Sequence, residues 1–350
     1  MAAATAVTGA AFGAAFVASG VYLPAVILDQ LKWENCHMLQ AFLTATAASA
    51  IITTTAQKIN YAKFSPRSYA DRGWFAPYDG NVVGGLALGA GMALSGACPG
   101  TVLAQVALGI RSGYYALGGG LLGGTVWAAI LRPRIDSAKK ARLAKTEKPT
   151  PSPPVTIQAL AGVSTATALV GLEVTFAAIV GASLATYGPG PDAKISPVVG
   201  GLIIGLVQLF SVAARKSLLG VSTVYEDVGD WLLYYATSSS SDKTKNDDAT
   251  APTKIPAVNS ITLSLAIYAG AWAFALLAPQ FGVSPSSVAA SSAISPATAA
   301  LGGFTMAIGS RVAGGCTSGH GISGMSLFSI SSYITMASAF VGGGLVALLL

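Results

Sequence analysis

The pattern GGLALGAGMALSGACPGT at residues 84–101 returns 218 residues later, at 302–319, as GGFTMAIGSRVAGGCTSG. At that one offset Gly84 and Gly85 fall on Gly302 and Gly303, Gly91 on Gly309, Gly96 on Gly314 and Cys98 on Cys316. The register continues without a gap, placing Tyr115 on Tyr333 and Gly124 on Gly342. A repeat this long requires two equivalent halves, and any fold proposed for the chain has to contain both.

Only 10% of the residues are charged and 53% are hydrophobic, the composition of a membrane protein. Apolar stretches of about 18 residues or more cross a hydrocarbon core of roughly 30 Å as helices. Such stretches run over 5–28, 38–56, 80–97, 113–131, within 156–187, and over 197–214, 257–278, 296–315 and 332–350. The expectation is an all-α polytopic protein of about nine transmembrane helices. Residues 1–131 form the first half, 132–155 a basic Pro-rich linker, 156–187 a connecting helix, and 188–350 the second half with a mobile loop at 237–256. An odd connecting span between two four-span halves turns the second half upside down. Inverted repeats of this kind place a transporter's site near the midplane, where discontinuous helices meet.

The net charge of +6 is carried mainly by connectors. Segment 57–79 holds Lys58, Lys63, Arg67 and Arg72, segment 132–155 holds seven Lys and Arg residues, and segment 215–256 adds Arg215, Lys216, Lys243, Lys245 and Lys254. In a nine-span chain all three lie on one side. The positive-inside rule then puts the N-terminus in the cytosol and the C-terminus outside, with Cys98 toward the outer and Cys316 toward the inner side of a plasma membrane. The basic residues form no recognition stripe, which argues against nucleic acid. No basic residue precedes Lys32, so the first span reads as retained and not as a cleaved signal. Two of the three cysteines occupy equivalent repeat positions, which argues against a disulfide framework.

At S-G-A-C-P-G-T, residues 95–101, Pro99 suits the first turn of a new helix, and Gly96 and Gly100 permit tight turns. The span should break here and restart, aiming free N–H groups and a positive dipole end at an anion. Broken backbone at membrane depth is tolerated only where it is buried in protein or lines a wet cavity. The second copy, G-G-C-T-S-G-H-G, lacks the proline but adds Thr317, Ser318 and His320. Two opposed restarts, each headed by a thiol, describe a midplane site for a sulfur-bearing anion, whereas a single such cysteine reads as a small buried hydrophobe. The residues expected at the site are Cys98, Pro99, Gly100, Thr101, Cys316, Thr317, Ser318 and His320, with Arg311 drawing in the anion. Glu173, the acid deep in the fifth span, is a candidate for proton coupling. His320 and Cys316 share i, i+4 spacing, but no second ligand pair accompanies them, and neither a metal nor a cofactor is expected.

These two motifs resemble the YeeE/YedE-type sulfur transport family, membrane proteins that include thiosulfate permeases. The resemblance spans both repeats, and G-G-C-T-S-G-H-G-I-S-G around Cys316 is its most specific carrier. It implies a nine-span inverted-repeat protein in which cysteines along a central path contact thiosulfate, a role that carries over to Cys98 and Cys316. The long linkers and G-V-Y-L-P at 20–24 are similar to the fungal branch. Where bacterial permeases place a third cysteine in the first span, this chain has Tyr22 and no Cys, and Cys36 lies later beside His37; the alternatives are that Tyr22 supplies an O–H donor there, that Cys36 takes the place, or that the substrate differs. The reading is therefore a non-enzymatic permease for thiosulfate or a similar sulfur anion, with a cytosolic sulfur-accepting protein as a partner. A membrane thiol enzyme or redox protein transferring sulfur through Cys98 and Cys316, and a hydrosulfide channel, stand as the alternatives.

Overall fold

The computed structural model describes residues 2–145, 153–188, 190, 194–238 and 256–350, and among these it is helical without strands. In the first half α1 (Ala2–Ser19), α2 (Pro24–Leu31) and α3 (His37–Lys58) are followed by α4 (Asp79–Ser95), α5 (Thr101–Ala107) and α6 (Arg111–Val126). A π turn at Trp127–Leu131 joins α6 to α7 (Arg132–Lys145), and α8 (Ile157–Ala161) leads to α9 (Thr165–Tyr187). The second half comprises α10 (Pro197–Arg215), α11 (Thr223–Ser238), α12 (Asn259–Leu277), α13 (Pro285–Ala293) and α14 (Pro296–Ala313), then a π segment Ser318–Gly324 and α15 (Ile330–Ala347).

Close backbone contacts fix the direction of each helix. A Cβ on Gly84 would lie 2.6 Å from the Gly309 carbonyl oxygen, and one on Gly91 would lie 2.5 Å from that of Gly302. Ascending positions on α4 thus meet descending positions on α14, and the two helices run antiparallel. The repeat offset maps the first of these contacts onto the second, as a local two-fold axis between the helices requires. Around this pair, Gly9 and Gly13 of α1 follow Leu263 and Ile267 of α12 in parallel, and Gly201 and Gly205 of α10 follow Ala41 and Ala48 of α3 in parallel. Each half's first helix therefore packs on the other half's second spanning helix, which two interlocked and inverted halves produce.

Among the described residues seven helices are long and apolar enough to cross a membrane. Helices α4 and α14, which the sequence counts as spans, fall short. At 17 residues α4 reaches only about 26 Å, and α14 spends its length on Gly, Ala, Ser and Thr that let it approach its neighbours. Both stop at left-handed glycines, Gly96 (φ +62°) and Gly314 (φ +83°), and the chain continues into the cysteine motifs.

Two connectors carry more helix than the sequence implies, and one span is interrupted. The segment expected as a linker from residue 132 continues α6 as α7, whose Ala- and Lys-rich sequence favours helix. Helix α11 lies in the connector between α10 and α12, and the first span is interrupted at Gly20 (φ +72°) before α2. The loop expected at 237–256 falls largely outside the described residues.

Gly89 tests the packing most directly, because a Cβ there would lie 1.8 Å from the Ala339 carbonyl oxygen of α15, whereas one on Gly171 of α9 meets nothing within 4 Å. Gly89→Ala should destabilise the detergent-solubilised protein by about 1–3 kcal/mol. Gly171→Ala should be neutral or slightly stabilising in the same thermal-unfolding assay.

Candidate functional site

Both thiols sit where a helix restarts, and each occupies the place of a cap. The backbone N–H of Thr101 donates to the Cys98 sulfur at 3.4 Å, and the Thr101 hydroxyl donates to it at 3.2 Å. In the second copy the Cys316 sulfur lies 3.3 Å from the Ser318 hydroxyl and within reach of the Gly319 N–H, the Val221 N–H and the Ser222 hydroxyl. Sulfur takes the place usually held by a Ser or Asp oxygen at the first turn. Both cysteines are buried and neither is bonded to another.

The two motifs meet. The buried Thr317 hydroxyl lies beside the Cys98 sulfur and has no nitrogen or oxygen partner among the described residues. Tyr225 of α11, fully buried, donates its phenol to the Pro99 carbonyl at 2.8 Å and lies in electrostatic range of both thiols. Its ring occupies the space left by Gly120 of α6, where a Cβ would come within 2.8 Å of it, and its backbone carbonyl lies against Gly124, where a Cβ would come within 2.0 Å of the oxygen. Gly120 and Gly124, one turn apart on α6, thus admit α11 at close range.

Other expected residues are placed as follows. Gly100 lies against the Phe16 ring. His320 is fully engaged, with Nε2 3.2 Å from the Ala313 carbonyl and Nδ1 2.9 Å from the Ser332 hydroxyl; the carbonyl can only accept, which assigns the proton to Nε2. Tyr22 donates to the Phe281 carbonyl at 3.0 Å, and its own carbonyl accepts from Gln105, so its O–H is directed at a loop. Cys36 is buried ahead of α3, where its neighbour His37 bonds the Ser19 carbonyl at 2.8 Å. Glu173 stands on the peripheral helix α9, which packs on α3, with one buried carboxyl oxygen lacking a partner among the described residues. No group of three or more His, Cys, Asp or Glu side chains among the described residues could hold a metal ion.

Arg311 is neutralised. It pairs with Glu226 of α11 at 2.6 Å, and Glu226 also accepts from Arg132 at 2.7 Å and from the Trp127 indole at 3.3 Å. Burial alone would push the Glu226 carboxyl up, but Arg311 and Arg132 outweigh it and hold it below the ordinary glutamate value.

Two cavities approach the motifs from opposite faces. One, of about 600 Å³, is lined by Lys63, Arg67, Arg215, Lys216 and Arg311 against the single carboxylate of Asp227, and reaches Ser222 and Gly315 beside Cys316. The basic connectors that the sequence places together do meet at this face, where Arg142 pairs with Asp71 and Arg132 with Glu226. The other cavity, of about 410 Å³, carries only Asp29 and Lys32 as charged groups and ends at Ile294. Ile294 and Pro24 close over Gly96 ahead of Cys98.

Sequence reasoning missed that Tyr225, Val221 and Ser222 reach the cysteine motifs and that Arg67 lines the basic cavity. A signal existed for two of them: Gly20-Val21 ahead of α2 recurs as Gly220-Val221 ahead of α11.

The Glu226 network carries a pH signature. Its folded carboxyl lies below the unfolded value of about 4.3, so the stabilisation is complete at neutral pH and is lost as the pH falls below about 4. Glu226→Gln should cost roughly 2 kcal/mol at pH 7, less than the ~3–5 of a fully buried pair. It should also remove that part of the acid sensitivity in thermal-unfolding series between pH 7 and 3.

Comparison with curated proteins returns no match. A family model described as sulphur transport matches residues 18–345, a stretch that takes in both cysteine motifs and the helices that hold them. That match makes the chain a member of the sulphur transport family, and with its membrane-length apolar helices it is an integral membrane protein of sulfur-compound transport.

Proposed function

We propose that the chain takes up thiosulfate or a closely related sulfur anion, passing it between Cys98 and Cys316 without lasting covalent change. The observation that carries this reading is the meeting of two helix restarts, each presenting a thiol among N–H and O–H donors. Helix N-termini and aligned donors favour an anion, and a polarisable thiol is a soft contact for a terminal sulfur. The cavities that approach the pair from opposite faces supply an entry and an exit, and the basic one would concentrate an anion on the cytosolic side. In this reading the N-terminus is cytosolic, the plasma membrane is crossed, and a cytosolic protein accepts the delivered sulfur. Tyr225 would steady the first restart, since it bonds the Pro99 carbonyl and lies in electrostatic range of both thiols.

One observation favours a second reading. The donors gathered on the Cys316 sulfur also stabilise a thiolate. Attack by that thiolate on the outer sulfur of thiosulfate would leave a persulfide on Cys316 and release sulfite.

Radiolabelled thiosulfate uptake separates the readings. Cys98→Ala and Cys316→Ala should each lower uptake at least tenfold, and Tyr225→Phe, which loses one bond, should lower it several-fold. Uptake unchanged in both cysteine variants would remove the thiols from the path. A persulfide found by intact-mass measurement after turnover, with sulfite released in equal amount, would establish sulfur transfer instead.

A further inference from the structure

By sequence Arg67 is one of several connector charges. In the fold it leaves its neighbours and inserts into the second cysteine motif. Its Nε donates to the Gly319 carbonyl and its Nη1 to the Gly314 carbonyl, both at 2.8 Å. Its backbone is anchored as well, for its N–H donates to the Ser329 hydroxyl at 2.9 Å and its carbonyl accepts from Ser331 at 3.0 Å. Two edges of the planar guanidinium are therefore fixed, and the third, Nη2, makes no hydrogen bond among the described residues.

Nη2 lies 2.9 Å from where a Cβ on Gly319 would stand, and the Cys316 sulfur lies 4.0 Å from the same point. The open donor edge and the thiol thus border one glycine. Gly315 and Gly324 also leave space that Arg67 fills, with its Nη1 and Cδ lying 2.8 and 3.1 Å from their Cβ positions. Gly319 and Gly315 are crowded first by this side chain, whereas the Ser332 side chain lies nearer than Arg67 to the Gly324 position. At the matching place in the first motif stands Thr101, which bonds Cys98, so the first half has no such slot.

Charge singles Arg67 out further. Arg311 spends its charge on Glu226, and Arg132 is held by Glu226 and Asp230. Arg67 has no carboxylate partner among the described residues, lines the basic cavity and lies in electrostatic range of Cys316. A guanidinium with two edges fixed and one free meets oxyanion oxygens at little further ordering cost.

We propose that Arg67 is an anion-binding residue that holds the oxygen end of a divalent sulfur oxyanion while the sulfur end faces Cys316. The inference rests on the transport reading above and adds to it the basis of discrimination: a dianion bearing oxygens is favoured over hydrosulfide, which has none.

The test is concentration-dependent thiosulfate uptake, with and without competing hydrosulfide, in proteoliposomes carrying wild type, Arg67→Gln, Arg67→Lys or Gly319→Ala. Arg67→Gln should raise the half-saturating thiosulfate concentration about tenfold or more and make hydrosulfide a relatively better competitor. Arg67→Lys, which keeps the charge, should recover part of the loss. Gly319→Ala, which crowds Nη2 without removing the cation, should shift half-saturation in the same direction and decides the matter if Arg67→Gln does not fold. An unchanged half-saturation in the folded variants overturns the inference and leaves the transport reading standing. A maximal rate that falls equally in Arg67→Gln and Arg67→Lys without a change in competition overturns it too, because that is loss of a structural cap. A wild type that takes up no thiosulfate overturns both.

Discussion

A peptide group at membrane depth has no water to bond, so every interruption of a spanning helix must find its partners within the protein. This constraint organises the molecule around its two broken helices. At the first break Gln105 donates to the carbonyls of Gly96 and Tyr22, and Tyr225 donates to that of Pro99. At the second, Arg67 serves Gly314 and Gly319, Arg72 serves Arg311 and Val312, and Thr46 serves Gly321. These donors come from α3, α5, α11 and the 59–78 connector, so the breaks can exist only once helices distant in sequence have assembled around them.

Burying that much polar backbone requires neighbours that come very close, and the glycines permit it. The α4–α14 pair approaches through Gly84, Gly91, Gly302 and Gly309, and α6 and α15 close on the same pair through Gly119, Gly123 and Gly342. Small residues take the place of the hydrophobic driving force that lipid removes between helices. The cost is length and apolarity in α4 and α14, the two central helices that hydropathy does not mark as spans.

An inverted repeat supplies two similar breaks, but the chain has made them chemically unequal. The first is capped by a neutral amide and is closed by Pro24 and Ile294, beyond which lies a cavity with one charge of each sign. The second is capped by a guanidinium and opens into a cavity with five basic side chains. The two related breaks thus stand in different electrostatic surroundings.

Much of this was legible in the sequence, because the repeat offset, the glycine turns and the apolar run lengths are local or periodic signals. They determined the all-helical membrane class, the breaks at Cys98 and Cys316 and the gathering of the basic connectors at one face. Val221 and Ser222 carried a fainter mark in the recurrence of Gly-Val. Only the tertiary structure decided which charges matter. Arg311, five residues from Cys316, is spent on Glu226, while Arg67, distant in sequence, stands unpaired among the described residues beside that thiol. A sequence records a side chain's charge but not its counter-charge, and in a low-dielectric interior the partner fixes whether that charge is free to bind an anion.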